Sequence, residues 1–234
     1  MNENLSFAKA SSNRILGSRK EAVMSVITIA RQFGSGGKTL GSIVANRLGY
    51  TLVDEEIVEL IAQEANISSE WVDSVARETG SEKFLKRMLL KFGPSRKGYA
   101  KIAADSDPGY IDGKLYIALL YKIIPRIAEQ DNIVIIGRGG QYILADDPNT
   151  YHFLLIADLE YRIQFMMDHY DLDRKQAQVV VDKHSKRRLN LYRYFSRTDY
   201  DQPAHYHIVF NMNKVTLENA VQSVCQLVEG RTSS

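Results

Sequence analysis

Gln32-Phe33-Gly34-Ser35-Gly36-Gly37-Lys38-Thr39 is the most informative segment of this sequence, and we call these eight residues the glycine loop. The apolar run Val26 to Ala30 precedes it, and apolar residues at helical spacing follow it as far as Gly49. This order of strand, loop and helix is typical of a loop whose backbone N–H groups bind phosphate. The pattern G-x-x-x-x-G-K-[ST] is matched except at its first position, where Gln32 replaces glycine.

The loop residues have distinct predicted tasks. Backbone N–H groups hold the phosphates of a donor nucleotide, Lys38 reaches the outer phosphates, and the hydroxyl of Thr39 ligates Mg²⁺. The residues assigned to donor binding are Gly34, Ser35, Gly36, Gly37, Lys38 and Thr39. A flexible turn between a strand and a helix is the alternative, because glycine-rich turns are common. Gln32 leaves the loop shape open, since glutamine resists some backbone conformations that glycine adopts.

Size and composition indicate one α/β domain. The chain has 234 residues, of which 44% are hydrophobic and 25% charged, as in ordinary globular proteins. A net charge of +2 is too balanced for nucleic-acid binding to be the leading hypothesis. One cysteine, Cys225, excludes an intramolecular disulfide and fits a reducing cytosol. No apolar run is long enough to span a membrane, and we expect a cytoplasmic protein. Residues 1–23 are expected to be a disordered extension, and a natural start at Met24 is the alternative.

Apolar strand-like runs alternate with longer helical patterns from residue 24 to residue 230, which predicts one domain with a five-stranded parallel sheet. The predicted strands are Val26–Ala30, Thr51–Val53, Ile133–Ile136, His152–Ile156 and His207–Phe210. The predicted helices are Lys38–Leu48, Glu55–Ala65, Ser69–Arg77, Glu82–Lys91, Lys114–Glu129, Leu159–Tyr170, Arg174–Leu191 and Leu217–Glu229. The stretch from Lys91 to Asp112 is rich in glycine and proline and is either a functional lid or a solvated surface loop.

A second glycine turn, Gly137-Arg138-Gly139-Gly140, follows the predicted strand Ile133–Ile136. Open α/β sheets bind ligands at the carboxyl ends of their strands, where this turn presents Arg138. A guanidinium can hold a phosphate through two parallel hydrogen bonds, so Arg138 is a candidate for binding the phosphate of the acceptor. A surface arginine at a tight turn is the alternative.

Three further arginines are candidates for binding phosphate. Arg162 lies one turn into the helix that Asp158 is predicted to cap, and either the donor phosphates or solvent would surround it. Arg187 and Arg188 belong to a basic segment with interleaved aromatic residues, which can close over a triphosphate and stabilise transferred charge. A solvated basic helix face and a surface that stacks on nucleic-acid bases are the alternatives.

Asp54 ends the second predicted strand, where a carboxylate can orient the acceptor or hold a metal-bound water; a helix cap is the alternative. The third strand ends in Gly137 and not in a carboxylate, so metal binding would rest on Thr39, phosphates and water. The five histidines show no ligand spacing; His205 and His207 are predicted to be packing residues, and Cys225 is predicted to be a core residue.

These motifs resemble the cytidylate-kinase-like family of P-loop proteins. The resemblance spans about residues 25 to 229 and is carried by residues 29–38, by Leu48-Gly49-Tyr50 with Asp54, and by Ile136-Gly137-Arg138-Gly139-Gly140. It implies a three-layer P-loop kinase fold with a helical acceptor-binding insertion (66–112) and a short helical lid (171–200). It also implies ATP as donor, Mg²⁺, and CMP or dCMP as acceptor. Three features depart from the family pattern: Gln32, Gly139 in place of an aspartate, and no second arginine shortly after Arg162.

The function expected from the sequence is therefore phosphoryl transfer from ATP to a nucleoside monophosphate. Lys38, Arg138, Arg187 and Arg188 are the expected catalytic residues, Arg162 helps to bind the donor, and Asp54 with Arg138 binds the acceptor. Two rival hypotheses are a kinase for another small acceptor and a nucleotide-binding module without turnover. The sequence leaves the oligomeric state open.

Overall fold

The computed structural model describes residues 25–54 and 113–230, with the side chains of residues 113–116, 187 and 190 outside that description. Five strands form one sheet: β1 (Val26–Arg31), β2 (Thr51–Val53), β3 (Ile133–Ile136), β4 (Thr150–Ile156) and β5 (Ile208–Asn211). All of the pairings are parallel, and the strand order is β2-β3-β1-β4-β5. The predicted five-stranded parallel sheet is confirmed.

Six helices and one 3₁₀ turn (Pro203–His205) are present in the described part of the chain. They are α1 (Gly37–Leu48), α2 (Gly113–Ala128), α3 (Gly140–Ile143), α4 (Leu159–Tyr170), α5 (Arg174–Tyr194) and α6 (Leu217–Gly230). None of these helices is long and apolar enough to cross a lipid bilayer. The predicted extension 1–23, the three helices predicted between residues 55 and 91, and the insertion 66–112 lie outside the described residues.

Two boundaries differ from the predicted ones by more than one residue, for physical reasons. Strand β4 begins two residues earlier than predicted, because Thr150 pairs with Val26 in the parallel register. Helix α5 runs past Leu191 to Tyr194, because its last turn carries the buried Tyr192, which packs against other aromatic rings. The region 171–200 therefore contains a helix of 21 residues.

The sheet lies between two helical layers, and its strands alternate between them. In β3, Val134 and Ile136 join the apolar cluster that includes α1 and α6. Ile133 and Ile135 join the cluster that includes α2. A strand that is buried on both faces is apolar at every position, which is why Ile133–Ile136 is an uninterrupted apolar run. Each of these side chains contributes roughly 1.5–3 kcal/mol through burial.

His152 is a buried polar residue of β4 and predicts a pH dependence of stability. Its Nδ1 is 2.6 Å from the Thr28 hydroxyl, and its backbone N–H donates to Nδ1 of His207 at 2.9 Å. Burial, together with the nearby charge of His207, lowers the pKa of His152 from 6.5 to about 4. Between these two pKa values the unfolded chain binds more protons than the folded chain, so stability falls as the pH falls from about 6.5 toward 4.

We expect the free energy of unfolding of the wild type to fall by about 2 kcal/mol more than that of a His152→Asn variant when the pH is lowered from near 7.5 to near 5. Urea denaturation at the two pH values measures this difference. Because the carboxylates titrate alike in both proteins, the comparison isolates His152. Equal losses of stability would show that this imidazole titrates as it does in water.

Candidate active site

The glycine loop joins the carboxyl end of β1 to the amino end of α1. Gly34 and Gly36 have φ values of 87° and 85°, in the left-handed region that glycine adopts readily. Gly36 caps α1, and its carbonyl accepts a hydrogen bond from the Leu40 N–H at 2.9 Å. In an α-helix the N–H groups of the first turn point along the axis away from the helix, so the amino end of α1 favours an anion.

Ser35 anchors the loop to the sheet. Its buried hydroxyl donates to the carbonyl oxygens of Gln32 (2.7 Å) and Leu155 (3.3 Å), and its N–H donates to the Gln32 carbonyl at 3.1 Å. The predicted contact of the Ser35 N–H with a phosphate would compete with its hydrogen bond to the Gln32 carbonyl oxygen. Gln32 lies outside the left-handed region of φ. The chain turns at Gly34 and Gly36, so the first position of the loop does not need a glycine.

Other parts of the chain approach two loop glycines closely. A Cβ at Gly34 would lie 2.7 Å from the carbonyl oxygen of Arg162, and a Cβ at Gly37 would lie 2.8 Å from Cβ and Cγ of Arg31. Neither position has room for a side chain unless the surrounding chain moves. A flexible turn, the alternative explanation for these glycines, would not require such close packing.

Asp54 lies between two cations at the carboxyl edge of the sheet. Its carboxylate is 3.5 Å from Nζ of Lys38 and 3.7 Å from a guanidinium nitrogen of Arg31. Burial lowers the pKa of Arg31, Asp54 opposes this effect, and the charges of Arg138 and Arg188 add to it. The end of β2, the glycine loop, Arg138 and Arg188 therefore contribute to one charged site. The Lys38 side chain is 54% exposed, which leaves it accessible to a ligand.

Arg138 lies in the turn after β3, at the same edge of the sheet. Gly137, Arg138 and Gly139 have φ values of 72°, 56° and 73°, so three consecutive residues are left-handed. The Gly137 N–H donates to the Ile29 carbonyl at 2.9 Å, which fixes the start of the turn to β1. An arginine in the left-handed region costs roughly 1–2 kcal/mol, and such strain is concentrated at functional sites.

Gly139 provides a stability prediction with an internal control. A Cβ at Gly139 would overlap the ring of Phe195, whereas a Cβ at Gly49 would meet nothing within 4 Å; their φ values are 73° and 70°. We expect Gly139→Ala to lower the free energy of unfolding by roughly 1–3 kcal/mol more than Gly49→Ala, because only the first adds a clash to the backbone strain. Chemical denaturation measures both variants, and equal losses would contradict the close contact with Phe195.

Arg162 lies between the glycine loop and α5. The predicted N-cap of α4 is confirmed: Asp158 accepts a hydrogen bond from the Tyr161 N–H at 2.8 Å. Arg162, one turn later, donates to the hydroxyl of Ser185 in α5 at 3.2 Å and to the Asp158 carbonyl at 3.3 Å. Burial lowers the pKa of Arg162, and the charge of Arg188 adds to this. The side chain is thus half-buried beside the loop.

Arg188 projects from α5 into the same site. Its guanidinium pairs with both carboxylate oxygens of Asp201 and lies 4.8 Å from the ring centroid of Tyr192 and 5.4 Å from that of Tyr200. Burial opposes the charge of Arg188, but Tyr192 and the ion pair with Asp201 together raise its pKa above the ordinary value. Arg187 belongs to α5, and its side chain lies outside the described residues.

Sequence reasoning missed three residues of the site: Arg31, Gln32 as a hydrogen-bonding side chain, and Asp201. Arg31 had a detectable signal, because a cation directly before a glycine loop lies at the carboxyl edge of the sheet. Asp201 had none, since its contact with Gln32 joins residues 169 positions apart.

The donor atoms at this edge fit Mg²⁺. Mg²⁺ prefers oxygen ligands, keeps several waters, and is commonly held by one or two carboxylates together with substrate phosphates. The hydroxyl of Thr39 and the carboxylate of Asp54 are oxygen donors of this kind at the glycine loop. Within residues 25–54 and 113–230, no cluster of three or more histidine, cysteine, aspartate or glutamate residues could hold a metal ion. Mg²⁺ would therefore need phosphate oxygens and water among its ligands.

A separate cleft of about 560 Å³ opens at the opposite, amino edge of the sheet. Its lining includes Asp146, Tyr151, His152, His207 and Leu227. None of the glycine-loop residues reaches it, and the hydrogen bonds of His152 to Thr28 and His207 give that histidine a structural role.

Known proteins resemble this chain in both sequence and fold. A family model described as "Cytidylate kinase-like family" matches residues 26–214. Among curated proteins, none matches the sequence. A crystal structure of an uncharacterized protein from Eubacterium ventriosum is 22% identical, with a TM-score of 0.60 over 89% of this chain and 99% of that one. A shikimate kinase from Bacteroides thetaiotaomicron is 13% identical, with a TM-score of 0.45 over 88% and 99% of the two chains. A gluconokinase from Sinorhizobium meliloti is 12% identical, with a TM-score of 0.47 over 89% and 96%.

Proposed function

The chain belongs to the cytidylate kinase-like family, and from that premise we propose that it transfers the terminal phosphoryl group of ATP to a nucleoside monophosphate, CMP or dCMP. One observation carries the proposal. At one edge of the sheet, Lys38 and Arg31 share the carboxylate of Asp54. The charges of Arg138 and Arg188 act on Arg31, and the charge of Arg188 also acts on Arg162. The carboxylates of Asp54 and Asp201 neutralise only part of the charge of these five cations, so the site favours a polyanion.

The donor phosphates bind at the amino end of α1 in this proposal. The N–H groups of the first turn and the helix dipole hold them, and Lys38 turns from Asp54 toward the outer phosphates. Thr39 and Asp54 supply oxygen donors toward Mg²⁺, which neutralises phosphate charge when bound. Arg162, fixed by Ser185, adds a positive charge on the α4 side of the loop.

The acceptor phosphate binds at Arg138. Its guanidinium can make two parallel hydrogen bonds to phosphate oxygens, and the left-handed turn fixes the backbone that carries it. Asp54, between Lys38 and Arg31, orients the acceptor in the same region. CMP and dCMP are assigned to this site on the family alone.

The chemistry is positioning and charge neutralisation. An ionised oxygen of the acceptor phosphate attacks the γ-phosphorus of ATP, and the bond from that phosphorus to the bridging oxygen breaks, so ADP leaves with the electron pair. No general base is needed for a nucleophile that is already ionised. Lys38, Arg187 and Arg188 stabilise charge on the transferred group, which is the main catalytic contribution in reactions of this class.

A screen for ADP release tests this proposal. The purified protein is incubated with ATP, Mg²⁺ and, in turn, each common nucleoside monophosphate and a set of small hydroxy acids and sugar acids. ADP is measured with and without acceptor, and ATP binding is measured separately. We expect acceptor-dependent ADP with CMP or dCMP. ADP formed only with a small metabolite, such as a hydroxy acid or a sugar acid, would show that the protein is a kinase for a different acceptor. ATP binding without ADP formation from any acceptor would show that the protein is a nucleotide-binding module.

A further inference from the structure

Gln32 links the glycine loop to two other segments of the chain. Its side-chain oxygen accepts a hydrogen bond from the Ala157 N–H at 3.1 Å, just after β4, and its side-chain nitrogen donates to Asp201 at 3.3 Å. Gln32 occupies the position at which the loop pattern has its first glycine. A glycine would make neither of these side-chain hydrogen bonds.

Asp201 in turn holds the guanidinium of Arg188. Each of its carboxylate oxygens accepts from a different guanidinium nitrogen, and the Oδ2 that receives the Gln32 hydrogen bond also accepts from Nη1 at 3.2 Å. Tyr192 and Tyr200 lie against the guanidinium, and the Arg188 side chain is only 14% exposed. The bidentate ion pair with Asp201 and the contacts with the two tyrosine rings leave the guanidinium little freedom to rotate.

The next loop residue contacts the same face of α5. Phe33 stacks on His184 with ring centroids 4.0 Å apart and planes within 8°. His184 and Arg188 are four residues apart in α5 and therefore lie on one face of the helix. Two consecutive loop residues thus fix α5 to the loop, one through ring stacking and one through Asp201.

The electrostatics explain why Arg188 needs to be held. Its charge acts on Arg31, which directly precedes the loop, and on Arg162, which lies close to Gly34. Repulsion from these two cations would push an unrestrained arginine away from the loop. Asp201 supplies the opposing attraction, and Gln32 fixes where Asp201 lies.

We propose that Gln32 and Asp201 are positioning residues that hold Arg188 beside the donor phosphates. This inference rests on the proposed function, in which Arg188 stabilises the transferred phosphoryl group. Gln32 then contributes to catalysis through Arg188. The substitution Gln32→Gly, which gives the loop pattern its first glycine, therefore impairs the enzyme.

The test measures steady-state kinetics of Gln32→Gly and Asp201→Asn in the full chain, with ATP and the acceptor that the screen identifies. We expect kcat to fall roughly tenfold or more in each variant while KM for ATP changes little, because the interaction is strongest in the transition state. Rates are divided by the fraction of protein that binds ATP, so partial unfolding does not imitate the effect. Glu160→Gln is the matched control: it breaks another forked arginine pair, with Arg174 at 2.6 and 2.7 Å, and should keep the wild-type kcat.

A double-mutant cycle separates positioning from general structural support. In an Arg188→Ala background, Gln32→Gly and Asp201→Asn should have no further effect on kcat, because both act through the missing guanidinium. Wild-type kcat in either single variant, or the same fold loss with and without Arg188, would overturn the inference while the kinase stands. A wild-type protein that forms no ADP with any acceptor would overturn the proposed function, and this inference with it.

Discussion

Replacing Lys38 with alanine is expected to lower kcat about 10²- to 10³-fold while the protein stays folded. The side chain is 54% exposed at the first turn of α1, so its removal leaves the apolar core intact. Asp54 keeps its second cation, because Arg31 remains 3.7 Å away. We expect kcat to fall because Lys38 stabilises the negative charge that develops on the outer phosphates during the transfer.

The measurement compares ADP release by Lys38→Ala with that of Lys175→Ala. Lys175 is an exposed lysine in the first turn of α5 and has no assigned role, so it controls for the loss of one surface charge. Circular dichroism and the unfolding midpoint verify that both variants are folded. A kcat for Lys38→Ala within threefold of the wild type would remove Lys38 from the mechanism.

Arg138→Lys is expected to lower kcat/KM for the acceptor roughly 100-fold and to leave KM for ATP nearly unchanged. Lysine keeps the positive charge but cannot make two parallel hydrogen bonds to a phosphate. Both residues have a Cβ, so the left-handed backbone at φ 56° costs the same in each, and the substitution adds no new strain. The variant thus tests the forked hydrogen bonding by itself.

Arg174→Lys is the matched control for Arg138→Lys. Arg174 makes a forked pair with Glu160 at 2.6 and 2.7 Å, on the exposed surface between α4 and α5. Its replacement removes a guanidinium fork without touching the site. Equal increases in KM for ATP and for the acceptor in Arg138→Lys would contradict the assignment of this arginine to the acceptor phosphate.

Local sequence rules were sufficient where the structure depends on neighbours in the chain. The apolar run of β3, the helix cap at Asp158 and the left-handed glycines of the loop each follow from residues close together in sequence. Backbone conformation and burial in these places are decided by the pattern itself. The parallel sheet then brings the strand ends, and the motifs that follow them, to one edge.

The same rules could not predict what Gln32 does. Judged by dihedral preference, a glutamine at the first loop position is only a possible source of strain. In the structure it makes hydrogen bonds to Ala157 and Asp201, 125 and 169 positions away. Such contacts depend on where β4 and the segment after α5 lie, which local patterns do not specify. The packing of Arg31 beneath Gly37 depends in the same way on the assembled sheet.

Calorimetric titration of the full chain with ATP, with and without Mg²⁺, measures directly whether the N–H groups at the amino end of α1 bind a nucleoside triphosphate. We expect saturable binding that Mg²⁺ strengthens and that Gly34→Ala abolishes, because a Cβ there would lie 2.7 Å from the Arg162 carbonyl oxygen and distort the loop. No heat of binding with ATP or GTP, in the presence of Mg²⁺ and with folded protein, would contradict it.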